Sequence, residues 1–155
     1  MKKIKLQEWA LVAEIVGAVA VVISLIYVGV SVRQNTDAIM VSNHQSIVAM
    51  DIERNTWYRD LEFAALYELA LQDYEQLSPP QLRQFRTFVA DTFNTWEYGF
   101  ITHSRGMMDD TIWDGWDQYY RSELTKVSYQ WFWNSSKMGF SDEFRAYVDS
   151  IQVER

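Results

Sequence analysis

The chain has 155 residues, a net charge of −7 and no cysteine, and 48% of its residues are hydrophobic. Without cysteine there are no disulfides, no thiol catalysis and no cysteine-ligated metal. An acidic chain is also poorly suited to nucleic acid or to a polybasic lipid-binding surface. The charge is unevenly divided: three lysines against Glu8 and Glu14 give residues 1–32 a net +1, so residues 33–155 carry −8.

Residues 1–8 form a short polar lead. From Trp9 to Val32 follow 24 residues, WALVAEIVGAVAVVISLIYVGVSV, of which Glu14 alone can carry a charge. As a helix this run reaches ~36 Å, enough to cross a hydrocarbon core of about 30 Å with some tilt. A signal peptide would have an apolar run of ~7–15 residues ending at a small-residue cleavage site. Here the run is longer, and its single A-x-A, Ala18-Val19-Ala20, lies inside it. The run therefore reads as a transmembrane helix over residues 9–32, with the bilayer as its first partner. A buried core helix of a soluble protein is the competing reading, although such helices are usually shorter.

Steps of three and four pick out one face of this helix: Glu14, Gly17, Val21, Ser24, Val28, Ser31 and Asn35, continued in sequence by Ala38, Ser42, Gln45 and Ala49. Bulky Ile15, Val22, Ile23, Leu25, Ile26 and Tyr27 fall largely off it. In lipid, helices associate through close backbone approach over small residues and through hydrogen bonds from groups such as serine. Repeats of seven, Gly17-Ser24-Ser31 among them, suit a left-handed bundle. The face reads either as a helix-packing seam or as the lining of a pore, with Glu14 forming a charged ring. Glu14 lies near the edge of the span, where it can be protonated, snorkel toward the interface or join a shared polar axis.

Residues 33–155 read as one all-α domain. RQNTDAIMVSNHQSIVAMDIERN holds neither Gly nor Pro, so the spanning helix is expected to run on to about Asn55, burying a second face of Ile39, Met40, Ile47, Val48 and Met50. TWYRDLEFAALYELALQDYEQL predicts a helix with the stripe Leu61, Ala64/Ala65, Glu68/Leu69 and Gln72. Ser78 as N-cap, Pro79 in the first turn and Gln81 three residues after the cap start the next helix. That helix carries Leu82, Phe85, Val89, Phe93, Trp96 and Phe100 at core spacing and ends at Ser104-Arg105-Gly106. Asp109 or Asp110 caps another helix, on which Trp113, Trp116 and Tyr120 share a face. Trp131-Phe132-Trp133 reads as a helix end or an aromatic plug. Ser141 caps a closing helix, DEFRAYVDSIQ, whose Asp142 and Glu143 suit the dipole.

The segment EIVGAVAVVISLIYVGVSVRQNT, residues 14–36, resembles a widespread family of uncharacterised small bacterial single-pass membrane proteins. The acidic-aromatic helix before SPPQ and the closing FSDEFRAYVD are similar to that family in character. The resemblance implies a protein of the bacterial inner membrane with a helical domain, and it implies no activity and no site residues. Lys2, Lys3 and Lys5 flank one end of the span and Arg33 the other, so the positive-inside rule places the N-terminus in the cytoplasm.

Signals of catalysis are weak. His44 and His103 have no carboxylate or second histidine at i+3 or i+4, and no Gly-rich phosphate loop, G-x-S-x-G or dinucleotide fingerprint occurs. Asp109, Asp110, Asp114 and Asp117 read as capping and solvation, with a weak calcium site as the alternative. Seven Trp, nine Tyr and eight Phe read as core filling, with subunit contacts or the membrane surface as alternatives. No enzyme, cofactor or metal is expected. The sequence points to a homo-oligomeric single-pass membrane protein whose seam lines a pore in its sharpest form. The alternative is a membrane-anchored adaptor or accessory subunit that packs on other membrane proteins.

Overall fold

The computed structural model describes residues 6–151. Every regular element among them is helical. In order they are α1 (Leu6–Asn55), α2 (Leu61–Asp73), α3 (Pro79–Ser104), α4 (Asp110–Leu124), α5 (Val127–Ser136) and α6 (Asp142–Ser150), with short 3-10 segments at Thr56–Arg59, Tyr74–Gln76 and Lys137–Gly139. The polar lead is helical from Leu6, and residues 1–5, with their three lysines, lie outside the described residues. Two units result, one through Ile39 and one from Met40 onward. The second starts later than the end of the apolar run at Val32, because residues 32–39 of α1 all remain exposed.

In the first unit, α1 is long and apolar enough to cross a membrane, and none of its apolar window is buried. Trp9, Leu11, Ile15, Val22, Leu25 and Ile26 are all more than half exposed. A fifty-residue helix with such a surface is unfavourable in water, where burying one such side chain is worth roughly 1.5–3 kcal/mol, and it is at home in hydrocarbon.

The second unit is organised around α3. Gln81 Oε1 accepts from Ser78 N at 3.0 Å and from Ser78 Oγ at 2.7 Å, fixing the helix start where the sequence places it. Phe85, Val89, Phe93 and Trp96 are at most 1% exposed, Leu82 and Phe100 are partly buried at the edges, and Phe88 widens the stripe. Gly99 lets two elements close on α3: a Cβ there would stand 3.2 Å from both Ile47 Cδ1 of α1 and the Trp113 ring of α4. Gly106, at φ +68°, makes the left-handed turn that ends this passage. Asp109 rather than Asp110 caps α4, accepting from Thr111 N at 2.9 Å.

Three expectations are corrected. The buried face of α2 is Phe63, Leu66, Tyr67 and Ala70, whereas Leu61, Ala65, Glu68 and Gln72 of the expected stripe are exposed. The two rings bring far more area to the core than the alanines do, and they meet Phe88 at 5.1 and 5.4 Å. On α1, Ile47 and Val48 pack inward as expected, but Ile39 and Met50 do not. At α6, Ser141 stands at the cap position, yet its hydroxyl and its N–H both donate to Glu97 Oε1 of α3 at 2.7 Å. A carboxylate 44 residues earlier in the chain thus anchors this helix start.

The WFW run splits. Phe132 and Trp133 stack on Phe93 at 5.5 and 5.1 Å, while Trp131 turns outward against Tyr74 at 4.6 Å. Core filling accounts for most of the aromatic load.

That load has a consequence for pH. Burial raises the hydroxyl pKa of Tyr58, Tyr67, Tyr119, Tyr120 and Tyr129, and that of Tyr147 to about 12, and outweighs the smaller effects of hydrogen bonds and neighbouring charges, some of which, such as Arg54 beside Tyr119 and Tyr120, act in the opposite direction. A folded pKa above the unfolded value of about 10 contributes stability that is fully present below pH ~10 and is lost as pH rises beyond it. Tyrosinate absorbance should therefore appear in a steep alkaline step together with loss of helical circular dichroism. A gradual titration of most tyrosines near pH ~10 with the helices intact would contradict this packing.

Candidate functional site

The seven positions singled out on the spanning segment all lie on α1. Glu14, Gly17, Val21, Ser24, Val28 and Asn35 are exposed and Ser31 is half-buried. One continuous helix puts them on one side, though a straight helix drifts ~20° per heptad against a seven-residue repeat. From Glu14 to Asn35 the stripe therefore turns about 60° around the helix, and two copies stay in contact along it only by supercoiling left-handedly. Ser24 Oγ donates to Ala20 O at 2.8 Å, so its proton is satisfied within the helix and needs neither water nor a partner. Around Gly17 no heavy atom lies within 4 Å of where a Cβ would stand.

Within the second unit, the part of α1 from Met40 to Asn55 is packed on one side only. Ile47 is fully buried, and Asn43, His44, Asp51 and Arg54 flank it. Gln45 and Ala49 stand two residues to either side of Ile47, about 200° around the helix. They are exposed, as is Ser42. The domain thus grips the face opposite to the sequence continuation of the seam and leaves that continuation uncovered.

The grip depends on a charge that sequence reasoning missed. Arg54 is 4% exposed. Its Nη1 donates to Thr92 Oγ1 of α3 at 3.0 Å, and its Nη2 donates to Tyr119 OH of α4 at 2.8 Å and to Asp51. The guanidinium lies over the Phe88 and Tyr119 rings at 5.8 and 5.4 Å. Asn43 adds a second tie, donating to Met107 O and accepting from Tyr98 OH, both at 2.9 Å. The signal was available: Met40, Ile47 and Arg54 recur every seven residues, with Asp51 one turn before Arg54.

The aspartate cluster disperses into separate structural roles. Asp109 caps α4, Asp110 Oδ1 accepts from His103 Nε2 at 2.9 Å, and Asp117 turns inward. There Asp117 receives Trp96 Nε1 at 2.9 Å, Arg121 Nε at 2.6 Å and Tyr147 OH. His103 stacks on Trp113 at 5.2 Å. Among the described residues no group of three or more His, Asp or Glu is placed to hold a metal. Two surface depressions, of about 510 and 430 Å³, contain no carboxylate or histidine.

Set against protein-family models, curated proteins and solved structures, the chain matches none of them.

Proposed function

We propose that the protein is a self-associating single-pass membrane protein whose copies meet along the Glu14, Gly17, Val21, Ser24, Val28, Ser31 and Asn35 face of α1. The observation that carries this reading is the one-sided packing of α1 between Met40 and Asn55, where the domain takes the Ile47 face and leaves Ser42, Gln45 and Ala49, the sequence continuation of the seam, uncovered. In a bilayer, close approach over Gly17 and the serines is a recognised source of helix association. The flanking charges and the family resemblance support a location in a bacterial inner membrane with the N-terminus in the cytoplasm. No side chain is assigned a catalytic role.

In its sharpest form the assembly surrounds a pore, and Glu14 side chains converge on the axis. Glu14→Gln, which removes the charge and keeps the size, should leave assembly intact while cation flux in reconstituted vesicles falls. Wild-type vesicles that pass no ions at any pH or voltage would eliminate the pore and leave a packed scaffold. One copy bound to unrelated membrane chains, in place of several identical copies, would instead identify an adaptor. Native mass spectrometry in mild detergent distinguishes the two.

A further inference from the structure

Leu61 opens α2 and is 85% exposed, the highest value among the described large apolar side chains. It stands between Asp60 and Glu62, both exposed, and neither is in an ion pair among the described residues. Elsewhere on the domain, the groove of about 510 Å³ between α3 and α5 has an apolar lining from Pro79, Leu82, Ala90 and Phe132, joined by Arg83 and Arg86. Arg86 lies over the Trp131 ring at 5.4 Å and donates to Ser136 Oγ at 2.9 Å. Neither arginine meets a carboxylate among the described residues, although Arg54, Arg121, Lys126, Lys137 and Arg145 each do. An apolar knob between two carboxylates and an apolar groove beside two guanidinia that meet no carboxylate among the described residues are complementary in both shape class and charge.

We infer that Leu61 of one copy seats in the Leu82, Ala90 and Phe132 groove of a second copy, with Asp60 and Glu62 meeting Arg83 and Arg86. This rests on the self-association reading and extends it to the soluble domain. The two patches differ, so the contact is heterologous, and such contacts close into rings when the rotation allows. Copies inserted the same way round in a bilayer permit closure about the membrane normal. Arginine beside an aromatic ring is also the composition typical of residues that dominate binding energy at interfaces.

The absence of cysteine makes the test clean. Leu61→Cys in one copy and Thr87→Cys, on the groove wall, in the other are reconstituted together at full length and oxidised. A disulfide-linked dimer should form at least about ten times more in the mixture than with either variant alone, a difference of roughly 1.4 kcal/mol or more in apparent association. Leu61 and Thr87 are exposed, so neither change disturbs the core. Adding Arg83→Glu and Arg86→Glu to the Thr87→Cys copy should suppress the crosslink, and adding Glu62→Lys to the Leu61→Cys copy should restore it. Equal crosslinking of either variant alone, or no restoration by the charge swap, overturns the contact. Ser24→Cys reports separately on α1. If Ser24 crosslinks while the mixture does not, only the groove contact falls; if neither crosslinks, the self-association reading falls with it.

Discussion

Trp96→Ala should lower the unfolding free energy by about 3–5 kcal/mol, the range for removing a large side chain from a packed core. The indole is 1% exposed, lies 5.7 Å from the Tyr120 ring and 5.5 Å from Phe144, and donates to buried Asp117 at 2.9 Å. Its loss opens a cavity between α3, α4 and α6 and takes one of three donors from a carboxylate that is 8% exposed. Trp96→Phe separates the two effects, since it keeps most of the apolar area while removing the N–H. It should cost less, about 1–3 kcal/mol, mainly for the lost hydrogen bond and the unfilled part of the site. Denaturant unfolding of the full chain in mild detergent measures both. A change below ~1 kcal/mol for the alanine variant would mean that α3 does not sit at the centre of the domain.

Arg54→Met should be the second most damaging single substitution, at about 3 kcal/mol, the low end for breaking a buried ion pair. The low end applies because Asp51 is one-fifth exposed and keeps the Asn55 Nδ2 donor at 2.8 Å. Methionine replaces the stem and much of the volume, so the loss is in the bonds to Thr92, Tyr119 and Asp51 more than in packing. Combining Arg54→Met with Asp51→Asn should recover part of the loss, because the stranded carboxylate is then gone. If the double variant is as unstable as the sum of the singles, Asp51 and Arg54 do not act as a pair.

Periodicity carried most of this fold. The 3.6-residue spacing of Phe85, Val89, Phe93 and Trp96, the Ser78-Pro79-Gln81 start and the unbroken run from Trp9 to Asn55 each specify local structure without tertiary help, and the structure follows them. The face of α2 was misjudged because Leu61, Ala64, Ala65 and Leu69 also recur at helical spacing. Only the partner surface, rich in Phe88 and Tyr129, decides in favour of Phe63 and Tyr67. Arg54 and Asp117 escaped for a different reason. Burial of a charge depends on donors and acceptors brought from distant elements, here Thr92 and Tyr119 for one and Trp96 and Tyr147 for the other. The spacing of Met40, Ile47 and Arg54 marks the face on which Arg54 lies, but no local pattern encodes which distant partners meet it or Asp117. The seam on α1 was legible as a pattern, and the structure adds that the domain does not cover its continuation at Ser42, Gln45 and Ala49.

The central claim is that this face holds copies together, and native mass spectrometry of three variants in mild detergent tests it most directly. Gly17→Leu and Ser24→Leu put bulk where the backbones approach and should shift the protein toward monomer, while Val22→Leu on another face should assemble as wild type does. Gly17 has open space around it within its own chain, so leucine there can act only between copies or against lipid. Equal assembly of all three variants, or a wild-type protein that is monomeric, would contradict the account.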